Sequence, residues 1–174
     1  EPEDIVLLAG STQVPEESLV LDTYRALVAE YPRLRLILVP RHPERFPEVV
    51  ELLTRAGSPF ARRTQLESNR AAGAARVLLV DVIGELAAWW GTADIAFVGG
   101  SLTDRGGQNM IEPAAYGAAV SFGPNTWNFH DIVTTMLAAD AAVVIHNGNV
   151  SIAKQTRLPM LRRLIDKNTL PNEE

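Results

Sequence analysis

The chain of 174 residues contains no cysteine. Disulfide scaffolding and thiolate chemistry are thereby excluded, and the composition fits a reducing compartment. No apolar run approaches the roughly 20 residues that a membrane-spanning helix needs, and no signal-peptide pattern is recognisable. Positive charge is short as well. A formal net charge of −5 at pH 7 leaves no broad basic surface for nucleic acid. The three histidines, His42, His130 and His146, are scattered without the paired spacing of metal ligands. Neither GxGxxG nor GxxxxGK followed by serine or threonine occurs. The first strand-helix loop reads "AGSTQVPEES", so a standard dinucleotide binder and a P-loop NTPase are both disfavoured. Internal repeats and low-complexity segments are lacking too. The first residue is Glu1 rather than methionine, from which we expect a piece of a longer protein.

What is present is a chain 47% hydrophobic, long enough for one domain with a real core. Short runs rich in Val, Leu and Ile predict strands at Ile5–Ala9, Leu34–Val39, Arg76–Val80, Ile95–Val98, Ala119–Phe122 and Ala142–Ile145. Most are apolar at consecutive positions, as in a sheet covered on both faces. Helical spacing joins Val20, Tyr24, Leu27, Val28 and Tyr31, and again Phe46, Val49, Val50 and Leu53 before a stop at Gly57. Further helices are predicted over Gly84–Trp90, Met110–Tyr116, Phe129–Ala138 and Ile152–Ile165. Residues 58–75 are less regular; a short strand near Phe60 and a loop are expected there. Strand-helix alternation implies right-handed crossovers and an α/β fold, a doubly wound parallel sheet of about six strands with helices on both faces.

In such a sheet ligands bind beyond the carboxyl ends of the strands. The loops that follow the strands read "PRHPER", "DVIGEL", "GGSLTDRGGQNMIEP" and "GPNTWNFHD", and all should open on one edge. Arg41, His42 and Arg45 place cations there. Arg41 either contacts an anion or pairs with a carboxylate; Arg45 either joins it or is a solvated helix residue. Asn109 and Glu112 have the spacing of a capping box. Alternatively Glu112 accepts hydrogen bonds from two ribose hydroxyls, each worth on the order of 1.5–3 kcal/mol. Gly106 and Gly107 are expected to leave amides uncovered for an anion before the helix. Glu16 and Glu17 supply negative charge in the first turn of a helix that Pro15 helps start.

Together these loops resemble the C-terminal half of the bacterial Kdo transferases, which move 3-deoxy-D-manno-octulosonic acid (Kdo) from CMP-Kdo onto lipid A precursors. The likeness runs from about Leu7 to Ala142 and is strongest in "ILVPRHPERFP" and "AFVGGSLTDRGGQNMIEPAAYG". It implies a GT-B architecture, with residues 1–174 forming one Rossmann-like donor-binding domain and the N-terminal acceptor domain elsewhere. The donor site implied is Pro40, Arg41 and His42, then Ile83, Gly84 and Glu85, then Ser101 and Gly107, and finally Asn109, Met110, Ile111 and Glu112. The backbone of residues 83–85 would meet cytosine, Glu112 the ribose, and Arg41 with the amides near Gly107 the phosphate. The family's general base lies in the other domain, so no catalytic residue is assigned here. No cofactor or obligatory metal is implied, only CMP-Kdo as donor and, through the other domain, a lipid A precursor. The implied location is cytoplasmic, at the inner face of the inner membrane for the whole protein.

The chain departs from the family pattern in places. It carries Gln13 and Pro15 in "STQVPEE" where the family usually reads "STHxGEE", Gln108 where "GGHN" is usual, and Asn125 where histidine is common. An amide keeps a donor and an acceptor but carries no charge. Similarity fades after Asn147. Two other functions compete: a GT-B domain for a UDP-sugar, and a non-catalytic docking module. For the latter, Trp89 and Trp90 are adjacent on a helix and cannot both face one core.

Overall fold

A computed structural model describes residues 3–66 and 75–146 of the chain. The expected helix at Ile152–Ile165 lies outside these residues. Seven strands, β1 (Ile5–Thr12), β2 (Leu34–Pro40), β3 (Phe60–Arg62), β4 (Val77–Leu79), β5 (Ile95–Val98), β6 (Ala119–Phe122) and β7 (Ala142–Val144), form one sheet in the order β3-β4-β2-β1-β5-β6-β7. Every neighbouring pair is parallel. The described helices are α1 (Glu16–Val28), α2 (Phe46–Arg55), α3 (Leu86–Trp90), α4 (Ile111–Ala115) and α5 (His130–Ala138).

The consecutive apolar residues of the strands are divided between two cores. Leu7 and Ala9 of β1, Leu36 and Leu38 of β2, and Ile95 and Phe97 of β5 pack with Val20, Leu21, Tyr24 and Leu27 of α1 and Val49 and Leu53 of α2. The intervening residues Leu8, Ile37, Ala96 and Val98 pack on the other face with Trp90 of α3, Met110, and Val133 of α5. A period of two sends alternate side chains to opposite faces, and both faces are roofed by helices.

The short strand expected near Phe60 is β3, which raises the sheet from about six strands to seven. It pairs Phe60 with Val77 and Arg62 with Leu79 at the sheet edge. Its anchor is polar. The buried Asp81 carboxylate accepts from the Thr64 amide at 2.9 Å, the Thr64 hydroxyl at 2.7 Å and Arg62 Nε at 2.8 Å. Burial opposes that charge, but the Thr64 and Arg62 contacts outweigh it and hold the carboxyl below its usual range.

From the central β1, the chain winds one way through β2 to β4 and β3, then returns to β1's other side for β5, β6 and β7. The switch point of the topology is thus the crevice between β1 and β5, above their carboxyl ends.

Trp90 is 1% exposed, with its ring against Gly10, where a Cβ would lie 2.5 Å from it. Trp89 is only half-buried and donates its indole N–H to Glu85 at 3.0 Å. Trp90→Ala is expected to lower stability by about 3–5 kcal/mol, and Trp89→Ala by clearly less, as read from urea unfolding curves.

Candidate functional site

Because the sheet is parallel, the loops after β1, β2, β4, β5 and β6 share its carboxyl edge. Their arrangement is organised by Glu16. This first residue of α1 is 0% exposed. Its Oε2 accepts from the amides of Gln13 at 2.9 Å and Gly100 at 2.8 Å; its Oε1 accepts from Ser101 and Leu102, both at 3.0 Å. Burial pushes its carboxyl above the usual range, against the pull of those four amides. Glu16 therefore does more than charge a helix turn: it fills the nest of amides made by the turn after β5. That turn needs glycine. A Cβ on Gly99 would lie 2.5 Å from the Ser11 carbonyl oxygen, and Gly100 has φ +65°. Glu17 is also enclosed, with Oε2 taking Arg45 at 3.2 Å.

The second glycine pair is spent internally as well. Gly107, expected to offer an open amide, donates it to the Gly100 carbonyl at 2.8 Å and is buried. Ser101, expected at the donor, is 0% exposed; its hydroxyl donates to Val98 O at 2.6 Å and accepts from Gly123 N at 2.8 Å. Met110 is likewise 0% exposed, its side chain part of the core. These two side chains shape the turn from within: Ser101 ties it to β5 and to Gly123, and Met110 anchors it in the core.

At the start of α4, Asn109 Oδ1 accepts from Ile111 N at 3.0 Å and Asn109 Nδ2 donates to Glu112 Oε1 at 3.0 Å. The expected capping box does not form: Met110 occupies the cap position of α4, and the carboxylate meets the side chain of Asn109, one residue further out, rather than a cap backbone amide. Glu112 is half-buried and keeps its second oxygen for another donor. Ile111 is 50% exposed beside it.

After β2, Pro40 is buried and the Arg41 amide donates to Thr12 O at 3.0 Å, which leaves the side chains of Arg41 and His42 exposed. Arg45 is neither free nor solvated: it is paired with Glu17 and Glu48. Among the described residues Arg41 meets no carboxylate. In the loop after β4, Ile83 is 61% exposed and Gly84 has φ +90°. Glu85 is clamped by Arg63, from Nε at 2.9 Å and Nη2 at 3.1 Å. Arg63 first, then the Trp89 indole, hold the Glu85 carboxyl below its ordinary range. Arg63 escaped the sequence reading because it belongs to the irregular stretch after Phe60; no spacing rule links it to Glu85. The rim also exposes large apolar side chains: Val14, Ile83 and Trp127 from the segments after β1, β4 and β6, and Ile111 at the start of α4. Among the described residues no three histidine, aspartate or glutamate side chains gather as a metal site would need.

The strand order and the rim at its switch point define a doubly wound, Rossmann-like α/β domain. No family model matches the chain. Among curated proteins it is similar to the 3-deoxy-D-manno-octulosonic acid transferase of Haemophilus influenzae, 40% identical over 142 residues, which are 82% of this chain and 33% of that protein. The same-named protein of Bordetella pertussis is 40% identical over 141 residues, 79% of this chain and 33% of its own. The crystal structure of the C-terminal CMP-Kdo binding domain of WaaA from Acinetobacter baumannii superposes with a TM-score of 0.80 at 30% identity, covering 96% of this chain and 85% of that one. The chain belongs to the Kdo transferase family, and its fold is one Rossmann-like half of the GT-B architecture. It spans about a third of the length of the curated relatives it matches.

Two outcomes are expected. Glu16→Gln replaces one acceptor oxygen by an NH2 group facing two amides, so unfolding free energy should fall by about 1–3 kcal/mol or more, measured by urea denaturation. The stability contributed by Glu85 is present above the ordinary glutamate range and is lost as pH falls through its depressed value. A carboxyl carbon titration should show that low midpoint, and Arg63→Ala should move it upward.

Proposed function

We propose that this chain is the donor-binding half of a Kdo transferase, taking CMP-Kdo and presenting it to a lipid A precursor held by the rest of the protein. The observation that carries the reading is the superposition on a domain described as binding CMP-Kdo, covering nearly the whole chain. The site's chemistry supports it. Cytosine presents one donor and two acceptors to the loop of Ile83, Gly84 and Glu85. The free Glu112 oxygen suits a ribose hydroxyl. Arg41 and His42 stand at the phosphate.

Transfer breaks the bond between the anomeric carbon of Kdo and the phosphate oxygen, while the acceptor hydroxyl bonds to that carbon and loses its proton to a base. The departing CMP gains negative charge, and Arg41 stabilises it without calling on a metal. The base and the acceptor site belong to the N-terminal domain. The rim's exposed apolar side chains face that domain, and the location is the cytoplasmic side of the inner membrane. None of the described helices is long and apolar enough to cross a membrane.

Titration of the chain with CMP, UMP and UDP, followed by nuclear magnetic resonance, tests the reading. Half a cleft binds weakly, with a dissociation constant near the millimolar scale, about −4 kcal/mol. CMP should be preferred, and Arg41→Ala and Glu112→Ala should each weaken it by about tenfold or more, since each removes a charge-assisted bond. An equal response to all three nucleotides would favour a docking module. The chain alone should transfer no Kdo; measurable transfer by it would overturn this division of labour.

A further inference from the structure

Gly100 is held on both sides. Its amide and the amide of Gln13 donate to the same Glu16 oxygen, at 2.8 and 2.9 Å. Its carbonyl accepts from Gly107 N at 2.8 Å, which draws in the next residue, Gln108. Two glutamines far apart in sequence are thereby brought over one glycine. Their side-chain nitrogens lie 3.3 and 3.4 Å from the point that a Cβ on Gly100 would occupy. Both side chains are half-buried, and among the described residues neither carboxamide has a hydrogen-bond partner. Both carboxamides thus keep their N–H groups available to an incoming acceptor.

Their place in the fold is the second observation. Gln13 follows β1 and Gly100 follows β5, the two strands that flank the switch point, where a ligand enters an open α/β sheet. The nest of amides beneath is closed by Glu16, so the turn's own backbone offers an incoming anion nothing there. Arg41 stands farther along the rim, after β2.

We propose that Gln13 and Gln108 form an uncharged carboxamide pair that binds the carboxylate of the donor's sugar. The inference rests on the reading of the chain as a CMP-Kdo domain and names residues for the part of the donor that reading leaves unassigned. In CMP-Kdo the carboxylate and the phosphate ester oxygen share the anomeric carbon, so a group that meets the carboxylate must adjoin the phosphate site. Two primary amides supply two N–H donors for two carboxylate oxygens. Such bonds are charge-assisted through the acceptor alone. The pair then separates acidic sugars from neutral ones without placing a cation beside the buried Glu16.

The test compares affinity for CMP and for CMP-Kdo in the 174-residue chain by titration. Gln13→Ala and Gln108→Ala should each weaken CMP-Kdo by about tenfold and leave CMP within twofold. Gln108→Glu should weaken CMP-Kdo further, because its carboxylate faces that of the sugar. The backbone bonds that build the turn do not involve these side chains, so unchanged amide spectra away from the turn verify the fold. Loss of CMP and CMP-Kdo in equal measure would assign the pair to the nucleotide and overturn the proposal, as would no loss of either. A parent chain that ignores CMP altogether would instead sink the reading beneath it.

Discussion

A carboxylate enclosed under a turn of backbone amides governs the carboxyl edge of this sheet. Moving an ion of this kind out of water costs several kcal/mol unless hydrogen bonds replace the lost solvent, and Glu16 finds four. The bonds tie the start of α1 and the end of β1 to the turn after β5. From there the order spreads: Gly100 O takes Gly107 N, Ser101 O takes Asn125 N, and Ser101 Oγ takes Gly123 N. Three rim loops thus behave as one body. The loop after β2 joins through Arg41 N to Thr12 O and through the Arg45–Glu17 pair.

The pairing of charges at the rim matters in a chain whose formal net charge is −5. Arg45, Arg62 and Arg63 are each engaged by a carboxylate, whereas among the described residues the exposed Arg41, after β2, and Arg105, after β5, meet none. Any attraction such exposed guanidinium groups exert is local and does not depend on the net charge of the domain. The glycines serve the same end by another route. The pair at 99–100 lets the turn close over Glu16, and the pair at 106–107 lets the loop return to Gly100. Neither pair simply clears space for a ligand; both compact the wall against which one can rest.

Much of the fold was legible because a sheet covered on both faces writes apolar runs into its strands, and six of the seven could be located from them. The seventh, β3, was expected near Phe60 as a short strand; its three residues are held by Asp81, a polar anchor that hydrophobic patterning does not register. The loops that build the rim were legible as a group, since every strand in a parallel sheet points its end the same way. The roles within them were not. Ser101, Gly107 and Met110 carry the residue types a donor site uses, and burial, which no spacing rule reports, encloses their side chains or backbone in the turn.

Sequence alone determined the class of fold, the edge on which the strand-end loops gather and the family resemblance, because periodicity and motif spacing are local properties of the chain. Tertiary structure decided which polar groups are already spoken for and which remain open, because a hydrogen bond between Glu16 and Gly100, or a meeting of Gln13 with Gln108, joins residues that no spacing relates. The competition for each buried donor and acceptor is settled only when the distant parts of the chain are packed together.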